Sequence, residues 1–413
     1  MSKSGKAGFV RLSLPTLAAL TPPDWDVEIL DARTSPVDFS KKADLVGITA
    51  FTNEIPNAYE IADGFRARGV KVVMGGVHVS ALPDEALQHA DSVVSGEAEL
   101  VWKDLLQDLE IGELKPLYRA GSLVEMSGMA IPRRDLLDRG MYSSFNSLQA
   151  TRGCPYNCEY CAVTAFFGNR FRTRPVAETL REIEGFDTRE FFFLDDNIIG
   201  QTRHAKELFS ALIPLNRVWG GQASINLARN DELLSLYAQS GGKYAFIGFE
   251  TLSEENLKKM NKSWNSPDAY GEAIRKIHKA GINIIGSFIF GIDEDDTSVF
   301  RRTVDFIMEN SIDAAQFHIL TPFPGTRLFD QMEKEGRITD RDWSKYHTSE
   351  VVFKPKNMTA EELQQGYWWA YRETYSLKSM LRRSLRSPKN LAVRVGLNLS
   401  YYNKAKKMPA AVL

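Results

Sequence analysis

Twice in 413 residues this chain alternates short unbroken apolar stretches with helical ones. A strand that is apolar at every position, rather than at every second one, is buried on both faces, and a parallel sheet covered by helices buries it that way. The fold class is therefore α/β. A prior of roughly 150 residues per domain gives two or three domains. The sequence divides into a first unit (1–125), a linker (126–145), a second unit with longer repeats (146–330) and a C-terminal extension with a basic helical tail (331–413).

In the first unit, "RLSLPTLAALTPP" (11–23) reads as a helix. Only about ten Gly- and Lys-rich residues precede it, which leaves little room for a leading strand. "DVEILDA" (26–32), "ADLVGITAF" (43–51), "VKVVMGGVH" (70–78) and "DSVVSGEAE" (91–99) read as strand segments, with "PNAYEIADGFRARG" (56–69) and "LVWKDLLQDLEIG" (100–112) as helices. The expected result is a doubly wound sheet, shortened at its start. Ligands of such sheets lie beyond the carboxyl ends of the strands. Thr49, Gly75, Gly76 and Gly96 share that edge and are the candidate contacts there. A Gly-Gly pair after a strand reads equally well as a tight turn.

The second unit offers six strands: 147–151, 190–197, 220–228, 244–250, 282–293 and 313–322, with helical runs between them. Six strand–helix units in about 170 residues make a partial (β/α)6 barrel, whose active residues belong at the carboxyl ends of the strands. That rule selects Asp195, Asp196 and Asn197 after strand two, Gln222 and Ser224 on strand three, and Gly248 and Glu250 ending strand four. Gly286, Gly291 and Asp293 belong to strand five, and "TPFPGT" (321–326) follows strand six. Asp293 reads as a helix cap. Phe166, Phe167, Phe192, Phe288 and Phe290 suit either an apolar pocket or the core.

All three cysteines of the chain sit in one run after the first of these strands, Cys154, Cys158 and Cys161, spaced C-x3-C-x2-C. A disulfide would strand one thiol, and a structural zinc site would need a fourth ligand that the six scattered histidines do not offer nearby. Three thiolates holding an iron–sulfur cube leave one iron open to a substrate-like ligand.

Composition limits the partners. The chain is 43% hydrophobic with a formal charge of −2, so no global field draws it to nucleic acid. No apolar run reaches the ~18 residues of a membrane span, and the start lacks an apolar signal segment; a reducing cytoplasm is the expected compartment. From Arg372 onward ten Lys/Arg face one acidic residue, Glu373. Such a tail suits an anionic membrane surface or acidic partner, or simply a solvated helix closing the fold.

The cysteine run with Tyr160 before its last thiol, placed after the first strand of a partial barrel, resembles the radical S-adenosylmethionine (SAM) superfamily over about residues 145–330. The resemblance implies a [4Fe-4S] cluster on Cys154, Cys158 and Cys161, with the methionyl end of SAM on the open iron. Electron transfer to the sulfonium would then break a C–S bond, usually giving a 5′-deoxyadenosyl radical. It implies a methionine-amine contact at Asp195 and Asp196, a ribose or amino contact at Glu250, and adenine neighbours at Tyr160 and Gly286 to Gly291. Gln222 and Ser224 would face the cofactor from strand three. A one-electron reductant of the flavodoxin or ferredoxin kind would be the protein partner.

"ADLVGIT", "VVMGGVH", "DSVVSGEAE", "TRGCPYNCEYC" and "LTPFPGT" further resemble the cobalamin-binding class of these enzymes, which includes hopanoid-modifying and anaerobic chlorophyll-cyclase relatives. No D-x-H-x-x-G occurs, so no histidine ligand to cobalt is expected, and His78 reads as a polar loop-edge residue. At this point several readings stand together. One is methylation of an unactivated carbon of a small molecule or lipid with cobalamin. Another is a cobalamin-independent reaction, through the deoxyadenosyl radical or by transfer of the 3-amino-3-carboxypropyl group. The last is a non-catalytic metal-binding module. A tRNA methylthiotransferase would carry further cysteines in its first domain.

Overall fold

The computed structural model describes residues 6–384 and 391–409. The first unit is a four-stranded parallel sheet, Leu45–Thr49, Lys71–Gly75, Ser92–Ser95 and Leu117–Arg119, in that spatial order. Side chains alternate strictly between its faces. Val72, Met74 and Val93 pack on the helix Ile55–Arg66, while Val73, Val94 and Tyr118 pack on Trp102–Glu110. Both faces are thus covered, as unbroken apolar strands require.

The run 26–32 is not a strand. Extended backbone becomes a strand only beside a partner that takes its hydrogen bonds, and no described strand lies next to it. The chain start is used elsewhere: Ala7–Phe9 pairs in parallel with Tyr142–Ser144. The Tyr142 hydroxyl donates to Asp31 at 3.0 Å, tying this pair to the end of the 26–32 run.

The second unit is a six-stranded parallel sheet in sequence order: Ser147–Leu148, Glu190–Phe193, Val218–Ala223, Gly242–Glu250, Asn283–Phe290 and Ala314–Ile319. Its outer face carries Phe191, Phe193, Trp219, Ile247, Phe249, Phe288, Phe290 and Phe317, all buried beneath the surrounding helices. By the period of two, Phe192, Gln222, Tyr244, Ser287, Gln316 and His318 take the inner face. Phe288 and Phe290 are therefore core rather than pocket.

The first strand is shorter than expected. After Leu148 the chain leaves the sheet, and Thr151–Arg152 pairs antiparallel with Arg172–Thr173. Asp195 accepts the Ala150 N–H at 3.1 Å, the group a continuing ladder would have used. This detour lifts the cysteine run clear of the sheet.

The open edge at the last strand is sealed by the helix Ala360–Thr374, which begins with a Thr359–Glu362 capping box. The Tyr375 hydroxyl accepts from Ala315 N at 2.8 Å and donates to Ala315 O at 2.6 Å. Tyr371 does the same for Phe317 at 3.2 and 3.3 Å. Two side chains thus occupy ladder positions that an exposed edge would offer to another chain. Behind them Arg383, 1% exposed, donates to the carbonyls of Ile312, Asp313 and Thr374 and to Asn398. Part of the basic tail therefore closes the fold.

Candidate active site

The cysteine run is a stapled loop. Gly153 adopts φ +79°, and a Cβ there would sit 2.1 Å from the Arg170 carbonyl oxygen, so only glycine lets the chain pass. Asn157 O accepts from Arg327 Nη2 (2.6 Å) and Asn261 Nδ2 (2.7 Å), and Glu159 pairs with Arg327 at 2.7 Å. Arg327 opens the helix Arg327–Lys334, which Thr326 caps by accepting from Phe329 N. The "TPFPGT" turn thus aims a helix start at the cysteine loop.

Burial pushes the thiols up, Cys154 to about 11 and Cys158 to about 12, with Cys161 raised as well. Each feels the charge of a neighbouring cysteine or of Asp196. Opposing this, the Tyr156 N–H and the Asn197 amide serve Cys154, and the Val163 and Thr164 N–H groups serve Cys161. Three thiolates largely screened from water, with N–H donors at Cys154 and Cys161 and the Lys262 ammonium acting on Cys158, fit a cluster whose irons supply the remaining positive charge. Among the described residues no three His, Cys, Asp or Glu side chains converge on a single ion. Thiolates that each bind a different iron of a cube have no need to converge.

Asp195 and Asp196 part company. Asp195 is fully buried and accepts from Ala150 N and the Thr151 hydroxyl (2.6 Å), so the expected methionine-amine contact there is corrected. Burial raises it to about 7 despite those donors. Asp196 accepts from Gly153 N at 2.9 Å and turns toward the thiols. Neighbouring residues of a strand point to opposite faces, so only one of the two can reach the inner side. Asn197, 4% exposed, accepts from Ser224 N at 3.3 Å and so bridges strands two and three beside Cys154.

Glu250 sits at a bulge with φ +64°, a strained conformation for a non-glycine residue. Its carboxylate accepts from the buried Lys262 ammonium, which also donates to Gly248 O at 3.1 Å. The Tyr160 hydroxyl bonds to the same carboxylate. A Cβ at Gly248 would lie 2.2 Å from Glu250 Oε1, so the glycine makes room for the ion pair. Lys262 thus engages one oxygen of the carboxylate at which the resemblance implies a ribose or amino contact. Lys262 lies 12 residues beyond Glu250 in a loop and carries no periodic signal.

Two glycines of strand five do not reach the cofactor side. A Cβ at Gly286 would meet Phe288, Ile312 and Phe249, all in the outer core. One at Gly291 would meet Leu363 and Phe353, where the C-terminal helix packs. The parity that places Phe288 outward places Gly286 outward with it, whereas Gly291 follows the strand's last residue and turns away with φ +89°. On strand three, Gln222 is exposed on the inner face, and Ser224 follows it at the strand end.

Around the ends of strands three and four, buried polar atoms stand without partners: Ser224 Oγ, Asn226 Oδ1, Trp264 Nε1 and Asn265 Oδ1. Tyr156 of the cysteine loop stacks on Trp264 with ring centroids 3.9 Å apart and receives Asn226 Nδ2 at 2.7 Å. Buried polar groups are normally satisfied, so this cluster fits a polar, nucleoside-sized ligand beside the thiols. Composition gave no hint of it, because Trp264 and Asn265 sit in an irregular loop.

The sheet of the first unit turns its carboxyl edge to this region. A Cβ at Gly76 (φ +106°) would lie 2.8 Å from Thr49 Oγ1, so these two candidates adjoin. Gly75 precedes them on the same strand, and Gly96 donates to Ser80 Oγ at 2.9 Å. Gly325 packs against Ala81, bringing the "TPFPGT" turn to the same edge. Backbone bared by glycines beside the barrel mouth fits the approach of a large planar cofactor. His78 is buried rather than at the loop edge: its ring meets Trp343, and Nε2 lies 3.4 Å from Glu85.

Glu97 joins the two units. It accepts from Arg152 and Arg172 at 2.7 Å each and from Val124 N at 2.8 Å, while Arg152 also pairs with Glu99 at 2.7 Å. Both arginines act electrostatically on Asp196.

Family comparisons decide what this constellation is. Residues 148–307 match the radical SAM superfamily, 11–106 the B12 binding domain, and 326–408 a domain of unknown function, DUF4070. The chain is 36% identical to bacteriochlorophyllide d C-12(1)-methyltransferase of Chlorobaculum tepidum, over 92% of this chain and 85% of that protein. The chain belongs to the cobalamin-binding class of radical SAM methyltransferases. It is also 30% identical to the C-8(2)-methyltransferase of the same organism, over 94% and 90% of the two chains. In fold it is similar to the radical SAM methyltransferase TsrM from Kitasatospora setae, with a TM-score of 0.70, 16% identity and 96% of both chains covered. The [4Fe-4S] cluster, SAM and cobalamin are the cofactors of this class, so the non-catalytic and cobalamin-free readings are set aside.

Proposed function

We propose that this chain methylates an unactivated carbon on the rim of a chlorin-type tetrapyrrole. The observation that carries this reading is the match to two bacteriochlorophyllide methyltransferases, each spanning both units and the C-terminal extension. In this reading Cys154, Cys158 and Cys161 hold the cluster, and Asp196 receives the methionyl amine of SAM. Asn226, Ser224, Asn265 and Gln222 receive its ribose and base, and Glu250, fixed by Lys262, orients Tyr160 beside the cluster. Thr49, Gly75, Gly76 and Gly96 line the cobalamin side. When bound, the cluster supplies an electron to SAM, and cobalamin carries the methyl group. The chain's own work is to hold these groups between the sheet edge and the barrel mouth and to exclude water from the space between them.

The reductant proposed is a flavodoxin- or ferredoxin-like protein, and the compartment a reducing cytoplasm. Among the described residues no helix is long and apolar enough to cross a membrane. Peripheral membrane contact is proposed through the helices Leu377–Ser384 and Leu391–Ala405, where Leu377, Leu381, Val395 and Leu399 are exposed near several lysines and arginines. Co-sedimentation with anionic vesicles tests it, and absence of binding removes the proposal. The function itself is tested anaerobically with reconstituted protein, SAM, cobalamin, a chemical reductant and bacteriochlorophyllide. A product heavier by one methylene unit supports the reading. SAM cleavage without that product, on every chlorin tried, contradicts it.

A further inference from the structure

Five of the six histidines are engaged away from the barrel's inner face. His89 pairs with Asp63, His278 with Asp313, His347 with Glu350 and His78 with Glu85, while His204 bonds to Arg174 O. His318 differs from them. It stands on the inner face of the last strand, one position before its carboxyl end. Register places it at the reacting level of the barrel: Glu250 aligns with Phe288, Phe288 with Phe317, and His318 comes next, opposite Ile289. Glu250 and Lys404 both act on its charge.

One ring nitrogen of His318 is spoken for. Nδ1 lies 2.9 Å from the Thr348 hydroxyl, and Thr348 is itself pinned by its carbonyl, which accepts Ile319 N at 2.8 Å. Thr348 holds φ +63°, a conformation a β-branched residue adopts only when its surroundings impose it. A strained, anchored hydroxyl that fixes Nδ1 leaves Nε2 directed and without a hydrogen-bond partner among the described residues. Burial holds the imidazole below the usual histidine range, and in the tautomer that donates Nδ1–H to the Thr348 hydroxyl the lone pair of Nε2 is free. Metal-ligating histidines show this arrangement: one nitrogen oriented by a second residue, the other open.

We infer that His318 Nε2 is the axial ligand to the central magnesium of the tetrapyrrole substrate. This rests on the chlorin reading above and deepens it. A single axial bond would fix the macrocycle's height and tilt in the barrel, leaving its rim to meet the reacting groups. His318 is thus a substrate-positioning residue, and its partner Thr348 sets the ring's orientation.

The test compares magnesium bacteriochlorophyllide with its metal-free counterpart, binding each to the full-length, cluster-loaded protein by fluorescence titration and resonance Raman. The expected result is at least ~10-fold tighter binding of the magnesium form, with the Raman marker of an axial imidazole. His318→Ala should lose both the preference and the marker, and added imidazole should restore the marker in His318→Gly. Thr348→Val should weaken the preference without abolishing it. Circular dichroism and cluster absorption establish that each variant is folded. An unchanged preference and marker in His318→Ala overturns the inference. So does equal binding of both chlorins by the unaltered protein, which leaves the chlorin reading standing. If neither chlorin binds, the chlorin reading fails and the inference falls with it.

Discussion

Glu97 and Arg152 form a buried ion pair at 2.7 Å across the two units of the chain, the glutamate from the sheet edge and the arginine two residues before Cys154. Glu97 also holds Arg172, and with Glu99 on Arg152 two carboxylates balance the two guanidinium groups that act on Asp196. Replacing Glu97 by Gln keeps the shape, leaves Arg172 without its carboxylate and leaves Arg152 with Glu99 alone. Loss of one partner of a buried pair costs about 3–5 kcal/mol. Glu97→Gln should therefore lower the midpoint of chemical unfolding and loosen the cluster loop. An unchanged midpoint would mean that the two units are joined by packing alone.

Asp195 and Asp196 should separate in experiment. Asp195→Ala leaves Ala150 N and Thr151 Oγ1 unpaired in a buried site, and each such loss costs about 1–3 kcal/mol. Stability should fall. Asp196→Ala should spare most of the stability and weaken SAM binding, measured by equilibrium dialysis on the cluster-loaded protein. Normal SAM cleavage in Asp196→Ala would show that strand two has been assigned the wrong inner residue.

Gly248→Ala should act on the same site from strand four. Its methyl would displace the Glu250 carboxylate from Lys262, because the Cβ position lies 2.2 Å from Glu250 Oε1. A several-fold rise in the dissociation constant for SAM is expected, with cluster content retained. Lys262→Met should be harsher, since it leaves Glu250 buried without its cation, and a loss of about 3–5 kcal/mol in denaturant titration is the expected size.

The edge seal gives a prediction remote from the chemistry. Tyr371→Phe and Tyr375→Phe each remove a hydroxyl that both donates to and accepts from the last strand. Each should cost roughly 1–3 kcal/mol, and the double variant should aggregate on heating, as an uncovered edge does. Light scattering during a thermal ramp reads this out. Heat-stable monomers in the double variant would show that packing of the helix alone protects the edge.

Much of this was legible in the residues, for identifiable reasons. Strands such as "AFIGFE" and "NIIGSFIFG" are apolar at nearly every position, which only a doubly covered sheet accommodates, and the cysteine spacing is local chemistry that folding does not rearrange. Other features depend on parity. The outward side of Gly286 follows from Phe288 two residues on, and the split between Asp195 and Asp196 follows from alternation, once one of them is known to bond to Ala150. The remainder is long-range. Lys262, Trp264 and Asn265 reach Glu250 and the cysteine loop from an irregular segment with no repeat to mark it. Thr348 meets His318 from a turn 30 residues away. The run 26–32 misled because apolar residues favour a strand only where a neighbouring strand offers its ladder.

The central claim is methyl transfer to a chlorin carbon, and its most direct measurement is isotope transfer. Reconstituted protein is incubated anaerobically with SAM labelled at the methyl group, cobalamin, reductant and bacteriochlorophyllide, and the chlorin is analysed by mass spectrometry. The account predicts label in the chlorin, lost when any of Cys154, Cys158 or Cys161 is replaced by alanine. Active cleavage of SAM by a cobalamin-loaded protein, with no label in the chlorin, would contradict it.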